Sequence, residues 1–166
     1  VWDPSSPAFI MAVGEGKTLC IPTIFVTYGG EAQDYKLPLL RSQSFLDKAT
    51  VPVAQMFDKE VTKTSATLGW EQEYFLVDSE KFLQRKDLIY TGRTLFGAMP
   101  PKGQEMDDHY FGTIRQRIAS FMKEVNIELW KMGVTAKTQH NEVAPAQHEL
   151  APIYTTTNIA TDHNQL

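Results

Sequence analysis

A long amphipathic segment in the last third of the sequence constrains the fold most. Over residues 113–132, apolar side chains recur at intervals of three and four, which is the spacing of one face of an α-helix. Gly133 follows directly, and glycine commonly ends a helix because its backbone adopts left-handed angles without strain. A helix with one apolar face must bury that face against another layer of structure. The other segments of the chain therefore have to supply this layer.

Segments rich in branched and aromatic residues predict that the second layer is a sheet. Three segments have this pattern: residues 19–28, residues 68–78 and residues 134–151. The last of them predicts two strands around a turn that contains Pro145. Three further helices are predicted: residues 37–48, a segment that begins after Thr50, and a segment that begins near Asn158. Pro52 would lie in a first helical turn, where its missing N–H costs nothing. This order of elements favours an α+β fold.

Two glycine-containing stretches are predicted to be irregular. Residues 14–17, Gly-Glu-Gly-Lys, lack the spacing of a phosphate-binding loop and predict a plain turn. Residues 79–112 are rich in Gly, Pro and polar residues and are long for a connection inside a compact domain. We expect this long segment to be a functional loop or to contain short strands.

Composition and charge exclude several classes of protein. The 166 residues fit one domain or a piece of a larger protein, and 42% hydrophobic with 22% charged residues is typical of globular chains. A net charge of -4 argues against a dedicated nucleic-acid-binding protein. No apolar run approaches the ~18 residues that cross a bilayer, and no signal peptide is visible.

Cysteine usage and the chain ends bear on the protein's setting. Cys20 is the only cysteine, which excludes a disulfide framework and favours a reducing, cytoplasmic compartment. The sequence starts at Val1 without a methionine, and it stops at Leu166 inside a predicted helix that has no stop signal. We therefore expect a segment of a longer protein.

Glu71 and Glu73 form the first notable acidic pair. They lie two residues apart in a predicted strand, so their side chains point to the same face of the sheet. Phe75 and Val77 continue that face, which is otherwise apolar. Two like charges on such a face are costly unless a cation or hydrogen-bond donors compensate them.

Glu142 and Glu149 form a second acidic pair in the predicted hairpin. A four-residue turn over residues 144–147 would place Val143 opposite His148, and Glu142 opposite Glu149. Directly opposed like charges destabilise a sheet, and a bound cation would reverse that effect. Carboxylate ligands without a cysteine partner suit Mg²⁺ or Mn²⁺ better than zinc. The alternative interpretation of both pairs is that they are exposed charges on solvent faces.

The histidines are weaker candidates. His140 shares a strand face with Glu142, whereas His148 points to the opposite face, so a zinc site built from these three residues is excluded. We expect His148 to be structural and His140 to be the better site candidate. His109, at the end of the long segment, is either a site residue or merely exposed.

Two of these segments resemble signatures of a known family. Residues 69–78, Gly-Trp-Glu-Gln-Glu-Tyr-Phe-Leu-Val-Asp, resemble the strand of glutamine synthetases that carries Glu-x-Glu. Residues 141–149, Asn-Glu-Val-Ala-Pro-Ala-Gln-His-Glu, resemble the second metal-binding signature of that family. Residues 2–7 and 19–25 resemble the bacterial type III branch in particular. The resemblance covers nearly the whole chain, while the chain covers only a fraction of such an enzyme.

The resemblance implies a fold and an assembly. The sheet would be curved and largely antiparallel, backed by helices, and would form part of the half-barrel of the catalytic domain. Residues 1–166 would be a partial catalytic domain, without the small N-terminal β-grasp domain and without the C-terminal remainder. The full-length protein would be a cytoplasmic homo-oligomer of stacked hexameric rings.

The resemblance also implies a reaction. Glutamine synthetases use ATP to ligate ammonia to glutamate through γ-glutamyl phosphate, with two or three Mg²⁺ or Mn²⁺ ions that neutralise phosphate oxygens. Glu73, Glu142 and Glu149 match ligands of the ion on the glutamate and ammonium side. Glu71 matches a ligand of the ion that bridges the ATP phosphates.

Individual roles follow from the same resemblance. Glu73 and Glu142 are assigned as catalytic residues. Tyr154 matches a position near the nucleotide, and we assign it together with His140 to cofactor binding. Asn141 is a departure, because many relatives have a histidine there.

Other family features lie in later parts of the family's chains. They include the remaining metal ligands and the arginines that grip glutamate and phosphate, so we expect this chain alone to be inactive. Three alternatives stay open: a relative that ligates glutamate to another amine, a guanidino kinase of the same fold, and a non-catalytic structural or regulatory protein.

Overall fold

The computed structural model describes residues 1–137 and 139–166, which fold into small antiparallel sheets and helices. This confirms the α+β class. The strands are β1 (Phe9–Val13), β2 (Gly16–Cys20), β3 (Thr67–Leu68), β4 (Gln72–Phe75), β5 (His140–Asn141), β6 (Gln147–Leu150) and β7 (Thr155–Thr156). The α-helices are α1 (Lys36–Ala54), α2 (Ser79–Leu83), α3 (Lys86–Thr91), α4 (Gln116–Lys131) and α5 (Thr157–Gln165), and a 3₁₀ helix covers Glu105–Phe111.

The chain divides into two compact units. Unit 1 contains Val1–Trp70, Ile127–Ala136 and Pro152–Leu166. Unit 2 contains Glu71–Asn126 and Lys137–Ala151.

Unit 1 contains the β1–β2 hairpin, α1, the β3–β7 pair and α5. The hairpin turns at residues 14–15, where Gly14 has a left-handed φ of 60°. The predicted turn is therefore present but shorter than residues 14–17, because Gly16 and Lys17 already belong to β2. A buried charge cluster ties α1 to the rest of this unit: Lys36 is 5% exposed and pairs with Asp3 at 3.2 Å and with Asp162 of α5. The predicted helix near Asn158 is confirmed by α5.

The predicted strand over residues 19–28 is wrong in its bounds. Regular pairing ends at Cys20, and the chain beyond it forms isolated bridges, Trp2 with Thr23 and Val26 with Ala32. Pro22 explains the break, because proline has no N–H to donate to a sheet ladder.

The two helices predicted over residues 37–48 and after Thr50 are one helix. The single helix α1 runs through Thr50, so this residue is not an N-cap, and Pro52 lies inside the helix. The proline is tolerated because it stands in the last turn, where only one intrahelical bond is lost before the helix ends at Ala54.

The segment predicted as one strand over residues 68–78 is two strands in two units. β3 pairs with β7 in unit 1, and β4 pairs with β6 in unit 2. Gly69 follows β3, and a Cβ there would lie 2.1 Å from the ring of Tyr154, so only glycine fits beneath this ring. The strand is interrupted where this close approach requires glycine.

Unit 2 is built on a three-stranded antiparallel sheet with the order β4-β6-β5. The predicted hairpin therefore shares a sheet with the strand of Glu73, as expected. β6 is the central strand, and β4 lies at the edge within the described residues.

The predicted register of the hairpin is also wrong. His140 lies opposite Glu149 and Asn141 lies opposite His148, which leaves residues 142–146 as the connection between β5 and β6. The connection is longer than predicted because the Glu142 amide donates to the carbonyl of Gln147 at 2.9 Å, and Ala146 adopts a left-handed φ of 60°.

Helix α4 confirms the amphipathic segment that was predicted over residues 113–132. Its apolar face includes Met122, which is 2% exposed, and Gly133 follows with a φ of 83°. In unit 2, Phe121 packs edge-on against Tyr74 of β4, with ring centroids 5.7 Å apart. The helix therefore covers the face of the sheet to which Tyr74 points.

The long segment over residues 79–112 contains helices, so the expectation of short strands is wrong. Asp78 caps α2 by accepting hydrogen bonds from the amides of Glu80 and Lys81. α3 and the 3₁₀ helix follow, and the 3₁₀ helix contains two left-handed residues, Met106 and Asp107. None of the described helices is long and apolar enough to span a membrane.

Candidate metal centre

The sheet of unit 2 brings three predicted site residues into one row. Glu73 on β4 lies directly opposite Glu149 on β6, and Glu149 lies directly opposite His140 on β5. Directly opposite residues of an antiparallel sheet project to the same face. Glu71 precedes β4 by one residue and lies two residues from Glu73, so it extends the row along the same face.

Glu142 joins this row from the connection that follows β5. The Nδ1 atom of His140 lies 3.4 Å from Glu142 Oε1, and its Nε2 atom lies 3.2 Å from Glu149 Oε1. Glu142 and Glu149 are 5% and 7% exposed, and their carboxyl groups contact each other. The predicted proximity of these two carboxylates is therefore present, although they are not opposite in the ladder.

The carboxylates form two overlapping groups that could each hold a metal ion. One consists of His140, Glu142 and Glu149, and the other of Glu71, Glu73 and Glu149. Within each group, one ligand atom per residue lies within 4.8 Å of the others. Glu149 belongs to both groups, so two ions bound there would share one carboxylate.

Burial and like charge perturb the pKa of Glu149. Burial is the largest cause, and the contact to Glu142 and the charge of Glu71 act in the same direction. Together they raise the pKa of Glu149 to about 7, although the charge of His140 acts to lower it. A buried carboxyl shifted in this way is destabilised in its charged form. A divalent cation at the same place would stabilise the charged form instead.

The imidazole of His140 responds to the same carboxylates. Burial lowers its pKa, but the hydrogen bond of Nδ1 with the carbonyl of Asn141 at 2.8 Å and the charges of Glu149 and Glu142 outweigh burial. The net pKa of His140 is raised. His140 therefore lies beside Glu142 and Glu149, on the face that strand parity predicted, and its assignment to the site stays a prediction.

His148 lies on the opposite face of the sheet and is not a candidate ligand. It is 6% exposed, packs at 5.9 Å from the ring of Tyr74, and shares a hydrogen bond of 2.9 Å with Asn141 Oδ1. These contacts agree with the strand face predicted for His148, and its structural role stays a prediction. His109 bonds the carbonyl of Gly103 at 2.8 Å through Nε2 and holds the long segment.

Two site residues were missed in the sequence. Gln147 donates from Nε2 to Glu73 Oε2 at 2.9 Å, and its spacing of two residues from Glu149 was the signal that could have found it. Tyr110 contacts the carboxylate of Glu142, and partial burial together with the charges of Glu142, Asp107 and Glu73 raises the pKa of Tyr110. No periodicity pointed to Tyr110, because it lies in the irregular 3₁₀ helix.

Tyr154 belongs to unit 1, whereas the carboxylates belong to unit 2. Its ring lies over Gly69, and 57% of the residue is exposed. The assignment of Tyr154 to cofactor binding stays a prediction.

The donor set fits magnesium or manganese. Both groups offer carboxylate oxygens, which hard divalent cations prefer, and the part of the chain that the structure describes places no cysteine among them. The one imidazole, His140, is a ligand that Mn²⁺ also accepts. The raised pKa of Glu149 is consistent with such a site, because burial and the neighbouring carboxylates outweigh the opposing charge of His140.

Comparison with known proteins matches two consecutive parts of the chain to one enzyme family. Residues 1–42 match the family described as "Glutamine synthetase type III N terminal", and residues 50–166 match "Glutamine synthetase, catalytic domain". The chain is 56% identical over 165 residues to a glutamine synthetase of Bacteroides fragilis (strain YCH46), which covers 99% of the chain and 22% of that relative.

Two other relatives agree. A type-3 glutamine synthetase of Dictyostelium discoideum is 51% identical over 167 residues, covering 100% of the chain and 23% of the relative. A glutamine synthetase of Butyrivibrio fibrisolvens is 53% identical over 150 residues, covering 90% of the chain and 21% of the relative. The chain thus spans about a fifth of the length of the curated relatives that it matches. From these matches, the chain belongs to the glutamine synthetase family, in its type III branch.

Proposed function

We propose that the protein to which this chain belongs ligates ammonia to the side-chain carboxylate of glutamate at the expense of ATP. The product is glutamine, and the intermediate is γ-glutamyl phosphate. The chain contributes part of the catalytic domain, and its antiparallel sheet forms part of a curved half-barrel in the full-length protein. The named relatives are glutamine synthetases, which supports this reaction class.

The observation that carries the proposal is the pair of overlapping carboxylate groups centred on Glu149. A reaction that moves a phosphoryl group needs positive charge on both sides of the transferred group, because negative charge spreads over its oxygens. Mg²⁺ or Mn²⁺ supplies that charge when bound. In this proposal Glu71, Glu73 and Glu149 hold the cation on the ATP side, while His140, Glu142 and Glu149 hold the cation on the glutamate and ammonium side.

This division refines the ligand sets that the resemblance implied. Glu73 was expected with Glu142 and Glu149, whereas its carboxylate groups with Glu71 and Glu149. Glu149 bridges both positions, so it bears on either ion. Gln147 donates to one oxygen of Glu73 at 2.9 Å, and the other oxygen of Glu73 would be available to hold a cation.

The residues around Glu142 give the ammonium side its chemistry. Glu142 is buried and contacts His140, Tyr110 and Glu149. A buried carboxylate of this kind attracts a small cation such as ammonium and can accept a proton from it. We propose that Glu142 orients the incoming nitrogen in this way and that Glu73 contributes by holding the phosphate-side charge in place.

The remaining elements of the proposal concern setting and assembly. The protein is a homo-oligomer of stacked hexameric rings, and glutamate, ammonia and ATP are its partners. A cytoplasmic location stays a prediction from the single cysteine.

The test is an assay of the full-length protein. Purified protein is incubated with Mg-ATP, glutamate and ammonium, and glutamine and phosphate are followed together. Equal amounts of both products are expected, and Glu73→Gln should lower turnover at least about 100-fold, since loss of an outer-shell partner of a metal alone costs about 10–100-fold.

Glu128→Gln is the matched control. Glu128 is an exposed residue of α4 that pairs with Lys131 at 2.6 Å, so its turnover should equal that of the wild type. If the protein forms product with another amine in place of ammonia, this result would favour the alternative that it ligates glutamate to that amine. Absence of any turnover in full-length protein that binds Mn²⁺ would favour the non-catalytic alternative.

A further inference from the structure

Asn141 connects two parts of unit 2 behind the carboxylates. Its Nδ2 atom donates to the carbonyl of Gly112 at 2.8 Å, and its Oδ1 atom lies 2.9 Å from Nδ1 of His148. A carbonyl only accepts hydrogen bonds, so the amide must turn its NH₂ group to Gly112 and its oxygen to His148. His148 is then the donor, with its proton on Nδ1. Asn141 therefore has a single orientation in which both ends are satisfied.

The segment that Asn141 holds is under backbone strain. We call residues 104–112 the Tyr110 segment; it consists of the 3₁₀ helix and its flanking residues Gln104 and Gly112. Met106 and Asp107 adopt φ values of 60° and 56°, which are left-handed and unfavourable for residues with a Cβ. Strained conformations of this kind persist only where surrounding contacts hold them.

Contacts hold the segment at both ends. At its start, His109 bonds the carbonyl of Gly103 at 2.8 Å, and Lys102 pairs with Asp108. At its end, Asn141 is the side chain that ties Gly112 to the sheet. A Cβ on Gly112 would lie 3.4 Å from Asn141 Nδ2 and 3.2 Å from the carbonyl of His109, so glycine allows this close approach.

The segment carries Tyr110 to the carboxylate of Glu142. Asn141 and Glu142 are consecutive, so one end of β5 presents both the residue that holds the segment and the carboxylate that Tyr110 contacts. We propose that Asn141 is a positioning residue: it fixes the Tyr110 segment against β5 and thereby keeps the Tyr110 hydroxyl on Glu142. The role of this contact in catalysis rests on the function proposed above, whereas the positioning itself does not.

The first measurement is amide hydrogen exchange of the full-length protein. Asn141→Leu has nearly the same volume and removes both hydrogen bonds, so exchange over residues 104–112 should rise at least tenfold while other segments keep their rates. Gln55→Leu is the matched control, because Gln55 donates to the carbonyl of Val61 at 2.8 Å in unit 1. This control should leave the Tyr110 segment unchanged.

The second measurement is a double-mutant cycle on the Mn²⁺ dissociation constant. Tyr110→Phe and Asn141→Leu should each raise this constant about tenfold, in the range of outer-shell partners. If Asn141 acts through Tyr110, the Mn²⁺ dissociation constant of the double variant should equal, within a factor of two, that of the single variant that binds Mn²⁺ less tightly. If Asn141 has only a structural role that is independent of Tyr110, the double variant should instead raise the Mn²⁺ dissociation constant by the product of the two single effects.

A second variant keeps the test decisive if Asn141→Leu does not fold. Gly112→Ala would bring a Cβ to 3.2 Å from the carbonyl of His109 and to 3.4 Å from Asn141 Nδ2, so this end of the segment must shift. The variant should therefore reproduce both the faster exchange and the non-additivity with Tyr110→Phe. Unchanged exchange in these variants, or multiplied effects on Mn²⁺ binding, would overturn the inference. If the wild type binds no Mn²⁺ and forms no glutamine, the proposed function fails, while the exchange data still decide whether Asn141 holds the segment.

Discussion

Glu149 is the residue on which both candidate ion positions depend. It belongs to both carboxylate groups, whereas Glu71, Glu73 and Glu142 each belong to one. We predict that Glu149→Gln raises the Mn²⁺ dissociation constant by more than about 100-fold, beyond the effect of losing an outer-shell partner. The variant should nevertheless unfold at the same or a higher temperature without metal, because it removes one of two buried like charges.

Isothermal titration with Mn²⁺ and thermal unfolding of the same samples check both parts. Glu128→Gln on the exposed side of α4 serves as the comparison and should bind Mn²⁺ as the wild type does. Retention of tight binding by Glu149→Gln would exclude the shared carboxylate as a ligand.

Asp3 gives a pH dependence in unit 1. Burial raises its pKa, but hydrogen bonds from Ser5, Lys36 and Ser6 outweigh burial, so the net pKa lies below the ordinary value. A depressed carboxyl pKa contributes stability above the unfolded pKa, about 3.9, and this stability is lost as the pH falls through the lower folded value.

We therefore predict that Asp3→Asn lowers the free energy of unfolding by about 3 kcal/mol at pH 7, because it leaves Lys36 short of one buried partner. The difference from the wild type should begin to shrink below about pH 4, where this carboxyl takes up a proton in the unfolded chain, and should be lost as the pH falls through the lower folded pKa of Asp3. Urea unfolding at a series of pH values measures this, with the exposed Asp58→Asn as control. A difference that is constant from pH 7 to pH 3 would contradict the assignment.

Tyr110 illustrates what residue-level reasoning could not reach. A carboxylate in an apolar strand indicates a functional site because burying its charge is costly. Glu73 and Glu149 could therefore be proposed as site residues from the sequence. Tyr110 is carried by a segment whose left-handed residues, Met106 and Asp107, are not glycines. Ordinary turn signals are absent there, so only the packed structure places its hydroxyl.

Strand periodicity explains why His140, Glu142 and Glu149 lie together although the predicted hairpin register was wrong. The actual register differs from the predicted one by two residues, with His140 rather than Glu142 opposite Glu149. Side chains alternate with a period of two, so a shift of two leaves each side chain on its face. The common face of His140, Glu142 and Glu149 was therefore predictable, whereas the connection length depended on Ala146 adopting a left-handed conformation.

Helix α1 shows the opposite case, in which a local rule failed. Threonine before Val51 and Pro52 has the pattern of a helix start, but the preceding turns continue through it. A helix end has to compete with the packing of the whole helix, which the local pattern does not contain.

Because Pro52 lies inside α1, its replacement should stabilise the chain. Pro52→Ala restores an N–H near the carbonyl of Lys48, and we predict a gain of about 1–2 kcal/mol after the added entropy of the unfolded chain is subtracted. Pro38→Ala is the matched control in the first turn of α1, where no intrahelical bond is regained, and it should lose up to about 1 kcal/mol. Urea unfolding compares the two variants, and a loss of stability in Pro52→Ala would show that the proline fits its site without cost.

At the scale of the whole molecule, the four carboxylates occupy one sheet of one unit. Unit 2 contains Glu71, Glu73, Glu142 and Glu149, together with His140 and Tyr110. The two candidate groups for a cation therefore lie within one unit. Formation of glutamine would also require nucleotide and glutamate to be held beside them.

We therefore predict that the 166-residue chain by itself binds Mn²⁺ but forms no glutamine. The chain covers only 22% of the Bacteroides fragilis relative, and we expect the groups that hold the substrates to lie largely outside it. Positioning accounts for much of the rate of a two-substrate reaction, so ions alone leave turnover at background. The chain is incubated with Mg-ATP, glutamate and ammonium, with Glu73→Gln as the background sample, and Mn²⁺ binding is measured on the same preparation. Turnover above that background would mean that the residues present already hold both substrates, and the full-length protein would then add regulation rather than catalysis.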